Sequence, residues 1–119
     1  MNRPNLPLRQ VAVDVCVAPQ LTPEAMAEVK LAGFRSVVNN RPDFEHGPDQ
    51  PTNAAIEAAA VAAGLEYRFL PVSGAGQTPE QIAAFAALLD ELPRPLLAFC
   101  RSGARSTNLF VQAQRSAGT

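Results

Sequence analysis

The sequence predicts an α/β fold in which helices flank a central, mostly parallel sheet of about four strands. Short apolar segments with strand patterns alternate along the chain with segments that carry helix start and stop signals. Each intervening helix is long enough to cross over the sheet and return in the same direction, which favours parallel pairing. A chain of 119 residues, 47% of them hydrophobic, fits one compact domain over residues 1–119.

The first third of the chain supplies two predicted strands and one helix. Valines at alternate positions predict a single strand over residues 8–18. A threonine, a proline and a glutamate at residues 22–24 provide an N-cap and a first helical turn, so a helix is expected over residues 23–32. A glycine then ends this helix, and a second apolar strand is expected over residues 34–39.

A long polar loop precedes the remaining elements. Three prolines and one glycine within residues 41–51 exclude regular structure there. Helix and strand signals then alternate to the end of the chain. They predict a helix over residues 52–63, a strand over 65–72, a helix from Thr78-Pro79-Glu80 to about Leu92, a strand over 96–99 and a helix ending near Arg115.

Charge and hydropathy exclude several classes of function. The formal net charge is −1 and the pI is near 5.7, which argues against a basic face for nucleic acid or anionic membrane. No segment approaches the roughly 18 to 20 apolar residues of a membrane span, and residues 1–10 lack the apolar core of a signal peptide, so a cytoplasmic protein is expected. No residues stand at metal-ligand spacing, so neither metal nor cofactor is predicted. His46 is expected to be exposed, the alternative being a general acid or base.

The most informative segment is CRSGARS at residues 100–106, which follows the buried strand predicted over residues 96–99. Open parallel sheets place ligand sites beyond the carboxyl ends of their strands. The loop N–H groups and the start of the next helix favour an anion, and with a nearby arginine they favour the thiolate of Cys100. Cys100 is therefore the predicted nucleophile, the alternative being a small core residue that ends a strand.

The neighbours of Cys100 are assigned to catalysis and anion binding. Arg105 is expected to hold a substrate oxyanion through two parallel hydrogen bonds, and Ser106 or Ser102 to donate to the sulfur. The residues predicted to bind substrate are Arg101, Ser102, Gly103, Ala104 and Arg41. For the two arginines of this set the alternative is a surface or salt-bridged position. Cys16, set among valines, is expected to be a buried apolar residue, with a resolving thiol as the alternative.

Three segments resemble one known family: QLTP at residues 20–23, VVNNRPD at residues 37–43 and CRSGARS at residues 100–106. From about residue 11 to 114 the chain resembles the phosphatase-like domain family of beta-lactamase hydrolase-like proteins. The resemblance implies a compact dual-specificity-phosphatase fold and places Asp43 near the mouth of the site. It also implies a persulfide dioxygenase partner, because some members are described as sulfurtransferases associated with such enzymes.

The spacing of the cysteine motif bears on the choice between phosphate and sulfur chemistry. Enzymes that resemble protein tyrosine phosphatases carry His-Cys-x5-Arg. Here Phe99 precedes Cys100, and only four residues separate Cys100 from Arg105. A loop shorter by one residue has less room for a tetrahedral phosphate and still accommodates one terminal sulfur, so the spacing favours sulfur.

Phosphate ester cleavage also needs a general acid for the leaving oxygen. The resemblance places that acid after the strand predicted over residues 65–72, where the chain instead continues Ser73-Gly74-Ala75-Gly76. A carboxylate of the long loop would have to substitute, namely Asp43, Glu45 or Asp49. Sulfur transfer does not need this acid, because the departing sulfite or thiolate is already a stable anion.

Three functions follow from these observations. The leading prediction is a rhodanese-like sulfurtransferase that moves sulfane sulfur from thiosulfate or a small persulfide, through a Cys100 persulfide, to a thiol or cyanide. The alternative is a phosphatase that acts through a Cys100 phosphocysteine, with Asp43 as the acid. The third is a non-catalytic module that binds anions or senses oxidants through Cys100.

Overall fold

The protein is a five-stranded sheet with helices on both faces, in a computed structural model that describes residues 6–117. In chain order the elements are β1 (Arg9–Ala12), β2 (Val15–Ala18), α1 (Ala25–Leu31), β3 (Ser36–Asn39), α2 (Asn53–Ala62), β4 (Glu66–Phe69), α3 (Pro79–Glu91), β5 (Leu96–Phe99) and α4 (Ala104–Ala117). The strand order is β1-β2-β5-β3-β4, with β1 antiparallel to β2 and every other pairing parallel. The predicted α/β class with a mostly parallel sheet is therefore confirmed.

The segment predicted as one strand over residues 8–18 is a hairpin, and that prediction was wrong. The chain turns at Val13, which is 90% exposed, and at Asp14. The Asp14 carboxylate accepts from Arg94 Nη1 at 2.8 Å and its carbonyl accepts from the Leu96 N–H, so both groups stabilise the turn. Alternate valines continue across the turn and conceal it, and the sheet consequently gains a fifth, antiparallel edge strand.

The strand predicted over residues 65–72 ends at Phe69, because Pro71 has no N–H for the ladder. Beyond the end of β4, two more backbone hydrogen bonds join the chain to the end of β3. The Leu70 N–H donates to the Asn39 carbonyl, and the Val72 N–H donates to the Asn40 carbonyl. The chain therefore continues alongside β3 as irregular backbone. This path brings Val72 to the carboxyl edge of the sheet.

β5 lies at the centre of the core. Leu97 and Phe99 pack into the cluster under α1 and α2, whereas Leu96 and Ala98 pack into the cluster under α3 and α4. All four side chains are fully buried, as expected for a central parallel strand covered on both faces. The strand therefore fixes the position of the residue that follows it, Cys100, at the carboxyl edge of the sheet.

No helix within residues 6–117 combines the length and hydropathy that crossing a membrane requires.

Candidate active site

Cys100 lies directly after β5 and is fully buried. Its Sγ accepts a hydrogen bond from the Gly103 N–H at 3.1 Å, and its own N–H donates to the Ala18 carbonyl at 3.3 Å. Gly103 has a φ of +93°, a conformation that favours glycine, and α4 begins at the next residue. The N–H bond and the start of the helix both stabilise negative charge on the sulfur, which suits a nucleophile.

Arg105 stands in the first turn of α4, five positions after Cys100. Its Nη1 donates to Glu45 Oε2 at 2.7 Å and to the Val72 carbonyl at 2.9 Å, and its Nη2 donates to Glu45 Oε1 at 2.9 Å. The hydrogen bonds that Arg105 donates to Glu45 raise the pKa of Arg105, and the charge of Cys100 acts in the same direction. The predicted nucleophile and arginine are therefore close enough for their charges to interact.

Glu45 connects the long loop to the motif. Its carboxylate accepts from Arg105 and, at 2.9 Å, from Arg41 Nε. The pKa of Glu45 is lowered to about 2, mainly by the hydrogen bond from Arg105. The hydrogen bond from Arg41 lowers it further. Glu45 is therefore ionised at neutral pH and is unsuited to the role of general acid that sequence reasoning left open for it.

Arg41 is buried, with hydrogen bonds at all three of its side-chain nitrogens. Besides Glu45, it donates from Nη1 to Gln20 Oε1 at 3.0 Å, and its Nη2 lies 2.9 Å from His46 Nδ1. A guanidinium has no acceptor, so His46 Nδ1 receives this bond. Arg41 thus occupies the salt-bridged position that was the alternative to substrate binding. His46 is exposed, as predicted, and contacts Arg41 as well.

Ser106 is fully buried, and its hydroxyl donates to Asn40 Oδ1 at 2.8 Å. A serine hydroxyl has one proton, so Ser106 does not donate to the Cys100 sulfur in this arrangement, and of the two serines predicted for that role Ser102 alone stays a prediction. Asn40 in turn donates from Nδ2 to the Leu70 carbonyl at 2.9 Å. Ser106 and Asn40 therefore join α4 to the end of β3.

The other loop residues of the motif are more exposed. Arg101, Ser102 and Ala104 are exposed, whereas Gly103 is buried. The Ser102 hydroxyl accepts from the Ala104 N–H at 3.3 Å, and the Arg101 carbonyl accepts from the Gln20 N–H at 3.1 Å. These contacts stabilise the loop and leave the Arg101 side chain on the surface.

Asp43 anchors the long loop to α2. Its Oδ1 accepts from the Asn53 N–H, the first residue of that helix, at 2.7 Å. Gln50 adds a second anchor within the loop, through bonds to the Pro42 carbonyl at 2.8 Å and from the His46 N–H at 3.2 Å. The loop has no regular structure, as predicted, and these bonds give it a defined path. Among residues 6–117, Asp43 makes no hydrogen bond to Cys100 or Arg105.

Sequence reasoning missed four groups of this site. Glu45 was considered only as an acid, Gln20 and Asn40 were given no role beyond the segments that carry the resemblance, and the Val72 carbonyl was not considered. The spacing of Arg41 and Glu45, four residues apart, was a local signal for their ion pair. No local signal points from Glu45 to Arg105, because the two residues stand 60 positions apart.

A cavity of about 230 Å³ adjoins the outer side of the motif loop, toward β1 and β2. Its lining includes Arg9, Ala18, Ser102 and Gly103, and neither Cys100 nor Arg105 belongs to it. The cavity is therefore not the place where the nucleophile and the arginine meet. Over the described part of the chain, no three histidine, cysteine or carboxylate side chains come together as a metal site would require.

Comparisons with known proteins identify relatives of this arrangement. The family model described as "Beta-lactamase hydrolase-like protein, phosphatase-like domain" matches residues 7–117. A beta-lactamase hydrolase-like protein of Agrobacterium fabrum is 44% identical over 79 residues, which are 66% of this chain and 18% of that protein. The chain therefore spans less than a fifth of the length of this curated relative.

Solved structures share the fold. The candidate phosphatase nma1982 of Neisseria meningitidis Z2491 superposes with a TM-score of 0.81 and 25% identity, over 92% of this chain and 78% of that one. Tk-PTP in its active form superposes with a TM-score of 0.64 and 16% identity, over 91% of this chain and 80% of that one. The phosphatase-type fold expected from the resemblance is therefore confirmed.

These matches contradict the sulfurtransferase prediction, because the family model is described as a phosphatase-like domain and the Neisseria neighbour as a candidate phosphatase. The prediction rested on the short loop and on the missing acid. The loop is one residue shorter, but Arg105 still lies in the first turn of α4, at the helix start next to the loop. The missing acid restricts the leaving group and says nothing about which anion is bound.

Proposed function

This chain belongs to the phosphatase-like domain family of beta-lactamase hydrolase-like proteins, and from that premise we propose that it is a cysteine-dependent phosphatase. The observation that carries the proposal is the pairing of a buried Cys100, whose Sγ accepts the Gly103 N–H, with Arg105 from the same loop and helix. A thiolate nucleophile and an arginine at one helix N-terminus are the groups that phosphoryl transfer through cysteine needs.

The reaction has two steps. The Cys100 thiolate attacks phosphorus, an S–P bond forms and the ester P–O bond breaks, so the alcohol oxygen leaves with the bonding electrons. Water then attacks the phosphocysteine, the S–P bond breaks, and orthophosphate and the thiolate are released. Arg105 and the N–H groups at the start of α4 stabilise the charge on the non-bridging oxygens in both steps, and such donors contribute about 10²- to 10³-fold each to turnover.

The surroundings of Cys100 favour aryl over alkyl phosphate monoesters. Glu45 is ionised, the Ser106 proton is donated to Asn40, and the Asp43 carboxylate is bound to the start of α2. The segment Ser73-Gly74-Ala75-Gly76 has no carboxylate. Because a phenolate leaves with much less help from an acid than an alkoxide does, phenolic esters are the substrates that this site would hydrolyse. Asp43 as the acid remains a prediction from the sequence.

Hydrolysis of p-nitrophenyl phosphate tests the proposal, with each cysteine replaced in turn. We expect Cys100→Ser to lower kcat/KM by more than about 10³-fold and Cys16→Ser, the matched control, to change it by less than about twofold. Mass spectrometry of acid-quenched wild-type protein would show one added phosphoryl group, absent in Cys100→Ser. Turnover that survives in Cys100→Ser, or no turnover by the wild type, would refute a phosphocysteine mechanism.

A further inference from the structure

Phe44, in the long loop between β3 and α2, has an unusual backbone conformation. Its φ is +60°, and within residues 6–117 it is the only residue other than glycine with a positive φ. A Cβ in this left-handed region crowds the backbone, so a bulky residue there is strained. Glycine or asparagine would adopt the same conformation at a lower cost.

Burial does not offset this strain. The Phe44 side chain is 64% exposed, more than any other aromatic side chain in the described part of the chain. It belongs to neither of the two core clusters. A ring left in water contributes little to the stability of the fold. Strained residues of this kind persist only where their surroundings hold them, and they concentrate at functional sites.

The residues on either side of Phe44 hold it in place. Asp43 Oδ1 accepts from the Asn53 N–H at 2.7 Å, and Glu45 Oε2 accepts from Arg105 Nη1 at 2.7 Å. Neighbouring Cα atoms are about 3.8 Å apart, so the Phe44 backbone is one short step from a residue that touches the arginine of the site. Phe44 therefore lies at the edge of the candidate active site.

We propose that the Phe44 ring contacts the aryl group of the substrate and so determines specificity for phenolic phosphate esters. The inference rests on the proposed function and deepens it, because it identifies the residue that recognises the organic part of the ester. An ester of this class carries its ring outward from the phosphate that Cys100 and Arg105 bind. Stacking on Phe44 removes apolar surface of both rings from water. The ring that is exposed in the free protein becomes a binding surface in the complex.

Substrates with and without a ring test this contact. Acetyl phosphate has no ring and, like p-nitrophenyl phosphate, has a leaving group that needs little help from an acid. We expect Phe44→Gly to lower kcat/KM for p-nitrophenyl phosphate by about fivefold, mainly through KM, and for acetyl phosphate by less than about twofold. Phe44→Tyr keeps the ring and should retain the preference. Phe44→Leu keeps apolar bulk without a ring and should lose part of it.

Phe44→Gly also separates a binding role from a structural one. Glycine accepts the positive φ and little packing is lost with an exposed ring, so the midpoint of urea denaturation should not fall. Val13→Gly is the matched control, because it removes another exposed apolar side chain, beside the amino end of β5. It should change kcat/KM for neither substrate. Equal losses for both substrates in Phe44→Gly would show that Phe44 shapes the loop, and would overturn the aryl contact.

Phosphonates measure the contact without turnover, because the P–C bond is not broken. We expect calorimetry to show that the wild type prefers phenylphosphonate to methylphosphonate by about fivefold and that Phe44→Gly loses this preference. Phe44→Leu serves for the same comparison if Phe44→Gly does not fold. A preference that is absent from the wild type, or unchanged in the variant, would overturn the contact. A Phe44-dependent preference in a wild type that hydrolyses no ester would refute the phosphatase and leave the contact supported.

Discussion

The substitution Gly103→Ala tests how much the hydrogen bond from the Gly103 N–H stabilises the Cys100 sulfur. Gly103 has a φ of +93°, and a Cβ at this position would lie 3.5 Å from the Ala18 backbone, an ordinary contact. Gly103→Ala is therefore strained by backbone conformation and not by a clash. The expected cost is about 1–2 kcal/mol in the free energy of unfolding. To relieve this strain the loop must rotate the N–H that bonds the Cys100 sulfur.

Gly33 provides the matched control for this substitution. It has a φ of +101°, lies after α1, and would place its Cβ in open space. Gly33→Ala should therefore lose a similar free energy of unfolding, since it pays the same conformational strain, and it should leave the site intact. Urea denaturation of both variants measures this part of the prediction.

The two variants should differ at the site. A lost hydrogen bond of about 1 kcal/mol removes stabilisation of the reacting Cys100 sulfur, so kcat/KM for p-nitrophenyl phosphate should fall by about fivefold in Gly103→Ala. Gly33→Ala should keep the kcat/KM of the wild type. If Gly103→Ala loses stability as Gly33→Ala does but keeps its kcat/KM, the Gly103 N–H does not stabilise the sulfur.

Three further predictions concern the groups around the motif. Asp43→Asn keeps an acceptor for the Asn53 N–H, so kcat/KM for p-nitrophenyl phosphate should change by less than about twofold. A larger loss of kcat/KM, growing as the leaving group becomes poorer, would identify Asp43 as the acid. Ser106→Ala leaves the buried Asn40 Oδ1 without its donor and should lower the free energy of unfolding by about 1–3 kcal/mol, measured by urea denaturation; no change would show that water replaces the hydroxyl. Because the folded pKa of Glu45 is lowered from 4.5 to about 2, its stabilisation is complete above pH 4.5 and is lost as the pH falls toward 2. At neutral pH the wild type should exceed Glu45→Gln in the free energy of unfolding by about 1–2 kcal/mol after solvent screening. This difference should vanish as the pH falls from 4.5 toward 2. A difference that does not change with pH would contradict the low pKa of Glu45.

Local patterns predicted the parts of the site that are close together in the chain. A buried strand, a cysteine, a small-residue loop and an arginine in the next helical turn follow one another at residues 96–105, so their juxtaposition depends only on local structure. The same holds for the helix starts, where Thr78 and Gln81 form the capping box that the threonine and proline indicated. These features could therefore be predicted from local sequence alone, without knowledge of the fold.

Contacts between distant segments could not be predicted in the same way. The bond from Glu45 to Arg105 exists because β3 and β5 are neighbours in the sheet, and this order is a property of the whole topology. The hairpin at Val13 was missed because an exposed valine interrupts no hydrophobic pattern. The sulfurtransferase prediction was wrong because the length of the loop between Cys100 and Arg105 was taken to decide between phosphate and sulfur. The N–H groups at the start of α4 are anion donors as well, and loop length does not count them.

The anchoring of Arg105 on Val72 has a consequence for how this site withstands sequence change. The Val72 side chain is fully buried in the cluster under α3 and α4, while its main-chain oxygen accepts from Arg105. Any residue at position 72 carries that oxygen, so no substitution there removes the contact chemically. What a substitution alters is side-chain volume, and an oversized residue would move the oxygen through the backbone. Differences in ligand affinity among homologues would then originate in hydrophobic positions that never meet the ligand.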